Sequence, residues 1–306
     1  MITVLCLTPC LDETIYLPQL TVGGTNRPSG RQIVAGGKGV NVAVTLAGLG
    51  ETVCLATYRY EQRSEKLMEA IDAAGLECIA ISTPGTLRTN LKIMDQSTSV
   101  ITEINAKGEA VSSDAVEEMA RAILNAARRS AWLVLTGSMP QGFPPDFYAR
   151  IIRDVRAAGL SCKIALDAEG EPLRLGVAEK PDFIKPNRHE LELLLGCKLE
   201  TDAAIGEAAQ RLVQAGVGTV IVSMDSAGSL LAHQKTLLAA DAVKVPVVTT
   251  VGAGDALVSG FLKADAAGCE PVEAFRYGVA CATARVAGED GNVQAYLPQV
   301  TTHPLV

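Results

Sequence analysis

A glycine-rich turn followed at once by an acidic residue carries the clearest chemical signal in this chain. The segment TTVGAGDALVSGFL, residues 249–262, follows the strand-like run KVPVVTT and opens an apolar helical pattern. Backbone N–H groups at the start of a helix have no partner inside the helix, and the helix dipole there attracts negative charge. Gly252, Ala253 and Gly254 are therefore predicted to form an anion hole.

Asp255 stands directly after this turn, where a carboxylate would repel a bound phosphate. Its position makes sense if it takes a proton from an attacking hydroxyl while the amides hold the charge on a transferred phosphoryl group. The alternative is a structural Asp in the first turn of the helix, which is a common place for this residue. The motif alone supports both interpretations equally.

A second glycine turn lies near the start of the chain. The segment AGGKGVNVAVTLAGLG, residues 35–50, carries Lys38 and places Asn41 on the first turn of a helix. Gly39 follows the lysine where a Walker A loop has Ser or Thr, and the spacing is not GxGxxG, which excludes P-loop and Rossmann sites. The small glycines let a ligand approach the backbone, while Lys38 and Asn41 supply a charge and an amide.

The elements that must hold these turns alternate along the chain. Three helices are marked by their ends: one from Ser64 as N-cap to Gly75, one over residues 113–130, and one from a proline pair to Gly159. The strand-like runs are ITVLCLT, TVCLAT, CIAIS, WLVLTG, KIALDA, DFIKPN and TVIVSMD. Strand–helix alternation of this kind predicts a doubly wound α/β layer sandwich with a mostly parallel sheet.

Two regions, residues 13–35 and 88–106, interrupt this alternation with turn-punctuated β patterns and no helix. We expect them to pair in space as a small sheet that serves as a lid over the site. The core would then consist of residues 1–12, 36–87 and 107–306. An antiparallel extension of the main sheet without lid function is the alternative.

Composition excludes several classes of protein. The formal net charge is −7, and the chain contains no long block of like charges, which argues against a nucleic-acid surface. The start of the chain lacks a basic and then apolar leader, and no run of about 18 apolar residues occurs, so we expect no membrane contact and a cytoplasmic protein. The eight cysteines form no CxxC pair and are expected to be reduced.

The two glycine motifs, in this order, resemble those of the PfkB carbohydrate kinase family, which has a ribokinase-like fold. The segments TPCLDET, NRPSGRQIVAGGKGVNVA, RTNLKI, TEIN, LTGSMPQGFP, LDAEG and IKPNRHEL are similar to segments of the 1-phosphofructokinases and tagatose-6-phosphate kinases in that family. The likeness spans nearly the whole chain. It implies a ribokinase-like three-layer α/β sandwich with a β lid, Mg-ATP as phosphoryl donor and a sugar or sugar phosphate as acceptor.

The resemblance also assigns roles. Asp255 would be the catalytic base, with Gly252, Ala253 and Gly254 as the anion hole. Asp12 would accept hydrogen bonds from sugar hydroxyls, the alternative being a turn-capping Asp. The remaining acceptor site would comprise Gly37, Asn41, Asn90 and Ser138. Three cations, Arg27, Lys38 and Arg88, would converge on the acceptor's phosphate when the lid closes.

The nucleotide side follows from the same likeness. Asn187 and Glu190 match an Asn-x-x-Glu element near Mg²⁺ and the ATP phosphates, with Glu190 reaching the metal through water; a polar helix cap is the alternative. Lys185 would touch a phosphate. The nucleotide loop would contribute Ser223, Asp225 and Gly228.

The implied reaction is ATP-dependent phosphorylation of a ketohexose phosphate, with fructose 1-phosphate first and tagatose 6-phosphate second. Two alternatives remain open: a kinase of an unphosphorylated sugar or nucleoside, and a non-catalytic sugar-phosphate-binding protein on the same fold. The resemblance also leaves room for a homodimer through the lid.

The chain departs from the family pattern at two places. Bulky and charged residues at 57–64 replace a turn with Gly and Asp and would reshape the acceptor pocket. Met224 and Asp225 replace Leu-Gly in the nucleotide loop and would add a negative charge near ATP.

Overall fold

The computed structural model describes residues 1–305. The strands are β1 (Ile2–Cys6), β2 (Cys10–Leu17), β3 (Gly30–Gly36), β4 (Val53–Gln62), β5 (Glu77–Thr86), β6 (Thr89–Asp95), β7 (Val100–Ile104), β8 (Trp132–Thr136), β9 (Lys163–Asp167), β10 (Phe183–Ile184), β11 (Thr219–Ser223), β12 (Ser229–His233), β13 (Thr236–Ala240) and β14 (Thr302–Pro304). The helices are α1 (Lys38–Gly48), α2 (Glu65–Ala73), α3 (Ser113–Ala127), α4 (Phe147–Ala157), α5 (Gly170–Ala178), α6 (Arg188–Leu195), α7 (Asp202–Gln214), α8 (Ala253–Ala266), α9 (Pro271–Val286) and α10 (Val293–Tyr296).

The large sheet has ten strands in the order β14-β13-β12-β11-β10-β9-β8-β1-β4-β5. Pairing is parallel from β11 through β5 and antiparallel from β11 to β14. All five residues of β1 and of β8 are buried, as expected for central parallel strands covered on both faces. The predicted α/β fold with a mostly parallel sheet is confirmed.

The strand order reverses at β1, which lies between β4 and β8. Because crossovers between parallel strands are right-handed, the connecting helices on the two sides of this point lie on opposite faces of the sheet. Helix α1 packs on α8, which packs on α9, while α3, α4 and α5 form a separate series of contacts. A crevice outside the carboxyl ends of the strands is the expected place for ligands in such a sheet.

Polar residues follow one parallel strand after another at this edge. Thr8 follows β1, Ser138 follows β8, Asp167 ends β9, Lys185 follows β10 and Ser223 ends β11. Carboxyl ends of neighbouring parallel strands lie side by side, so residues that are far apart in sequence become neighbours here. The crevice is therefore lined by five separate segments of the chain.

A separate four-stranded sheet has the order β3-β2-β6-β7. It brings together the two regions that interrupt the strand–helix alternation, and its pair of β2 and β6 is parallel. The expected small sheet is therefore present, and it begins at Cys10, so that Asp12 lies on it. Its register places Asp12 beside Asn90 on one neighbour and beside Val34 on the other.

One local prediction was wrong, and another, Ser64 as N-cap, was confirmed in position only. The run KVPVVTT forms no strand, since β13 ends at Ala240 and residues 244–250 are irregular. Pro246 has no N–H to donate to a ladder, which removes one of the bonds a strand would need there. Ser64 stands at the start of α2, but its side chain makes no capping hydrogen bond.

The bulky segment at 57–64 divides between core and surface, since Thr57, Tyr58, Tyr60 and Ser64 are buried whereas the charged residues Arg59, Glu61 and Arg63 are exposed. Tyr58 on β4 is fully buried, donates its hydroxyl to the Ala115 carbonyl at 3.2 Å and packs edge-on against Phe143. Tyr60 on the same strand is also buried. Among the described residues, no helix has the length and apolar character needed to cross a membrane.

Candidate active site

Asp255 lies in the first turn of α8, directly behind the glycine turn. Gly252 is the N-cap residue and has a φ of 81°, a left-handed conformation that glycine adopts without strain. The Asp255 side chain is buried, and its Oδ2 accepts a hydrogen bond of 2.9 Å from Asn41 Nδ2. The two glycine motifs, 214 residues apart, thus meet through their polar side chains.

The anion-hole turn keeps three backbone amides free, but they are not the three predicted. Ala253 N donates to the Thr250 carbonyl at 3.3 Å, within the turn itself. Within residues 1–305, the amides of Gly252, Gly254 and Asp255 have no backbone or side-chain acceptor. Lys185 covers this point, because a Cβ atom on Gly254 would lie 3.2 Å from Lys185 Nζ.

Asp167 joins the two lysines of the site. Its carboxylate is buried at the end of β9, 3.1 Å from Lys38 Nζ and 3.6 Å from Lys185 Nζ. Lys38 lies in the first turn of α1, beside Gly37, whose φ of 109° and close contact with the Thr8 carbonyl leave no room for a side chain. Asp167 lies in the segment LDAEG, which resembles the family, but no role was predicted for it from the sequence.

The pKa values of these groups are shifted by one another. Burial raises the pKa of Asp255, the Asp167 charge raises it further, and Asn41, Lys38 and Lys185 offset this only in part. Burial would also raise the pKa of Asp167, but Lys185 and Lys38 hold it below its usual value. Burial would lower the pKa of Lys38, but Asp167, Asp255 and Glu190 outweigh this and raise it. At neutral pH Lys38 is charged and Asp167 is ionised.

A polar cavity of about 210 Å³ lies beside this cluster. Its lining residues are Thr8, Lys38, Arg88, Gly137, Ser138, Ala168, Glu169 and Glu190. Arg88 is held by two carbonyls, since NH1 donates to Ala106 at 3.0 Å and NH2 to Thr8 at 3.1 Å. Its Nε is buried without a partner within residues 1–305. Lys38, Arg88 and Ser138, three residues predicted for the acceptor, thus share one cavity.

Asp12 and Asn90 lie together on the small sheet. Asn90 Nδ2 donates to Asp12 Oδ1 at 3.0 Å, and Lys92 Nζ lies 3.1 Å from Asp12 Oδ2. A carboxylate has about four lone-pair directions, so each oxygen can still accept a sugar hydroxyl. Lys92 was not singled out from the sequence. The alternation of side chains along β6 could have indicated it, since residues two apart on a strand face the same side.

A larger, mainly apolar cavity of about 620 Å³ lies on the other side of the anion-hole turn. Ala253 and Gly254 of the turn contribute to its wall. The nucleotide-loop residues Ser223, Asp225 and Gly228 also line it, with Val243, Val245, Val247, Leu257, Val279, Thr283 and Val286. The departure at Asp225 therefore does place a negative charge at this cavity. From the sequence, the apolar residues of α9 could not be distinguished from those of an ordinary core helix, so their place in the cavity wall was not predicted.

Asn187 and Glu190 form a capping box at the start of α6. Asn187 Oδ1 accepts from Glu190 N, and Glu190 Oε2 accepts from Asn187 N, each at 2.8 Å. The helix-cap interpretation therefore holds. It does not exclude a ligand role, because Glu190 also lines the polar cavity. Within residues 1–305, no cluster of three or more His, Cys, Asp or Glu is arranged to hold a metal ion.

Arg27 is the one predicted cation that lies apart from the others. It is exposed in the loop between β2 and β3, and among the described residues it forms no ion pair. The structure thus joins Lys38 and Arg88 but leaves Arg27 outside the cavity.

The buried carboxylate of Asp255 lies next to the wall of the larger, mainly apolar cavity. It is also close enough to Lys38, which lines the polar cavity, for the two charges to interact. This arrangement suits the transfer of a group between two small molecules, one bound in each cavity. Together with the doubly wound sheet and the small second sheet, this arrangement defines the class: a small-molecule kinase of ribokinase-like fold.

Comparison with known proteins identifies the family. The model for "pfkB family carbohydrate kinase" matches residues 7–294. The 1-phosphofructokinase of Rhodobacter capsulatus is 34% identical over 298 residues, which cover 97% of this chain and 92% of that protein. The tagatose-6-phosphate kinase of Staphylococcus epidermidis is 30% identical over 263 residues, covering 85% and 84%. The tetrameric inhibited form of Escherichia coli phosphofructokinase-2 has a TM-score of 0.90 at 25% identity, covering 97% and 99%.

The chain therefore belongs to the pfkB family of carbohydrate kinases. The resemblance drawn from the two glycine motifs is confirmed, and so is the expected class of enzyme, a phosphotransferase acting on an alcohol group.

Proposed function

We propose that this protein transfers the γ-phosphoryl group of Mg-ATP to a ketohexose phosphate, fructose 1-phosphate first and tagatose 6-phosphate second. The observation that carries the proposal is the pair of cations, Lys38 and Arg88, in one small polar cavity with Ser138. The relatives named 1-phosphofructokinase and tagatose-6-phosphate kinase support the same acceptors. Glu169 and Glu190 also line this cavity and Lys38 pairs with Asp167, so the charge available to a phosphate is chiefly that of Arg88, which forms no ion pair within residues 1–305.

In this mechanism Asp255 accepts the proton of the attacking hydroxyl, and the free amides of Gly252, Gly254 and Asp255 hold the charge that develops on the phosphoryl group. Asn41 keeps the carboxylate oriented through its hydrogen bond to Oδ2. Lys185 lies over the turn and neutralises the phosphate there. The larger cavity has the size and the apolar lining that an adenosine moiety requires.

The residues present fit a magnesium ion that is held mostly by water and phosphate. Neither oxygen of buried Asp167 makes a well-aligned hydrogen bond within residues 1–305, and Glu190 faces the same cavity as Lys38. Magnesium keeps several of its waters and takes one or two carboxylates plus substrate phosphates. Asp167 and Glu190 would accept hydrogen bonds from those waters, and the bound ion would neutralise charge on the ATP phosphates.

The proposal is tested by a panel of acceptors with Mg-ATP and a measurement of ADP release. The panel contains fructose 1-phosphate, tagatose 6-phosphate, fructose 6-phosphate, fructose, ribose and adenosine. We expect the highest kcat/KM for a ketohexose phosphate. A preference for a free sugar or nucleoside would replace the acceptor assignment, and tight sugar-phosphate binding without ADP release would indicate a binding protein.

We propose that the small sheet, with the loops in residues 13–35 and 88–106, is a lid that closes when the acceptor binds. Asp12 and Asn90 lie together on the sheet, and if they bind the acceptor's hydroxyls, bound acceptor would bridge the sheet and the core and exclude water. Hydrogen exchange at both regions should slow at saturating sugar phosphate, and the buried strand β8 provides an internal control. Unchanged exchange in both regions would contradict a moving lid.

We also propose a homodimer through the outer part of this sheet. Val34 and Ile101 are 46% and 45% exposed, and the register places both on the face that carries Asp12. The tetramer named for the E. coli relative supports self-association in the family. Sedimentation velocity should show a dimer that the double change Val34→Lys and Ile101→Lys converts to monomer. Monomeric wild-type protein at micromolar concentration would contradict this assembly.

A further inference from the structure

Arg285 lies beside the anion-hole turn but has no place in the mechanism above. It stands in the last turn of α9, and its Nε donates to the Val251 carbonyl at 3.0 Å. Its guanidinium also lies against Gly252, since a Cβ atom there would be 3.4 Å from Arg285 Nε. The side chain therefore contacts the two residues that lead directly into the anion hole.

The end of α9 holds the preceding residues as well. Val248 N and Thr249 N both donate to the Val286 carbonyl, at 2.9 and 3.3 Å. The segment that enters the turn thus has no strand partner and is anchored instead on one helix end. Arg285 supplies the last of these anchors before the turn.

We propose that Arg285 is a positioning residue that orients the anion-hole amides by fixing the Val251–Gly252 peptide. In a planar trans peptide the C=O and the following N–H point in opposite directions. When Arg285 holds the Val251 carbonyl on its own side, the Gly252 N–H must point away from it. Gly252 needs this anchor because a glycine in the left-handed region can rotate at little steric cost.

The competing interpretation is a surface arginine that serves only its ion pair with Asp290. Arg285 NH1 lies 2.8 Å from Asp290 Oδ2, but the two side chains are 36% and 55% exposed. Pairs this exposed contribute little to stability. The bond from Nε to Val251, in contrast, joins a charged donor to a backbone carbonyl next to the site, and charge-assisted bonds are the stronger kind.

The same helix provides a matched control. Arg276 also donates Nε to a backbone carbonyl, that of Val300 at 3.2 Å, and NH1 to a carboxylate, that of Glu273. Its contacts lie away from the glycine turn. Arg276→Ala therefore removes the same kinds of bond from the same helix without touching the anion hole.

The test compares Arg285→Ala, Arg285→Lys, Arg276→Ala and Asp290→Asn with wild type, and it rests on the proposed phosphoryl transfer. With the best acceptor of the panel and Mg-ATP, we expect Arg285→Ala to lower kcat about 10- to 100-fold while KM for both substrates changes less than about threefold. Added guanidinium chloride at low millimolar concentration should recover part of the lost kcat. Arg276→Ala and Asp290→Asn should keep kcat within about threefold of wild type.

A second measurement separates this inference from the proposed function. Amide hydrogen exchange in residues 249–256 should be faster in Arg285→Ala than in Arg276→Ala, whatever the acceptor proves to be. Equal exchange and equal kcat in these two variants would overturn the positioning role. If Arg285→Ala does not fold, Arg285→Lys decides, because a folded Lys variant with full kcat would equally overturn it. Absence of turnover by wild type with every acceptor would count against the proposed function alone.

Discussion

Asp255→Asn is expected to lower kcat by about 10²- to 10⁴-fold while ligand binding largely survives, because the amide keeps the shape but cannot accept the hydroxyl proton. The buried carboxylate and its bond to Asn41 place this effect in the chemical step. Steady-state kinetics with the preferred acceptor measure kcat, and calorimetry measures nucleotide and acceptor affinity. Turnover close to that of wild type would remove Asp255 from the mechanism.

The matched control is Asp265→Asn, on the last turn of the same helix. Asp265 pairs with Lys163 and accepts from the Trp132 indole, away from both cavities. It changes the same functional group on the same element, so a loss of turnover confined to Asp255→Asn would exclude a general effect on α8.

The raised pKa of Asp255 adds two expectations to the same experiment. The base must be ionised, so the acid limb of the kcat/KM profile should lie above the ordinary carboxyl value of 3.8 and vanish in Asp255→Asn. A carboxyl whose pKa is raised by folding stabilises the protein only at low pH, and this contribution is lost as pH rises through the folded-state pKa. At pH 7 Asp255→Asn should therefore unfold at the same temperature as wild type or higher. A clear decrease would contradict the direction of the pKa shift.

Arg88→Ala should lower kcat/KM for the preferred sugar phosphate about 10- to 150-fold, the range given by one charge-assisted hydrogen bond. Arg88 lines the polar cavity and brings a positive charge to it. Arg88→Lys should rescue only part of the loss, because an ammonium group cannot reproduce the guanidinium geometry.

Arg88 also joins Ala106 and Thr8 through their carbonyls, so its removal could loosen the small sheet and lower activity for that reason alone. The two effects differ in selectivity. Loss of a phosphate contact should spare fructose and ribose, whereas a loosened sheet should affect free and phosphorylated sugars alike. Equal losses for the two kinds of acceptor would make the sugar-phosphate assignment wrong.

Sequence reasoning succeeded where the chemistry is local. Residues that are adjacent in the chain determine each feature of the turn at Gly252 and Asp255. These features are a glycine with positive φ, a helix start with free amides and an acidic residue in the first turn. The strand–helix alternation likewise predicted the fold, because period and caps depend on short segments. The prediction of a strand at KVPVVTT was wrong because a strand needs a neighbouring strand to pair with, and the composition of a segment does not show whether it has one.

Tertiary structure alone decided which side chains meet. Asp167 contacts Lys38 and Lys185 because the strand order brings their segments to one edge of the sheet. Arg285 contacts Val251 because α9 packs beside the same edge. No local pattern encodes these distances. The residues proposed for phosphoryl transfer could therefore be picked out from the sequence, whereas the contacts that hold them depend on parallel strands that end beside one another.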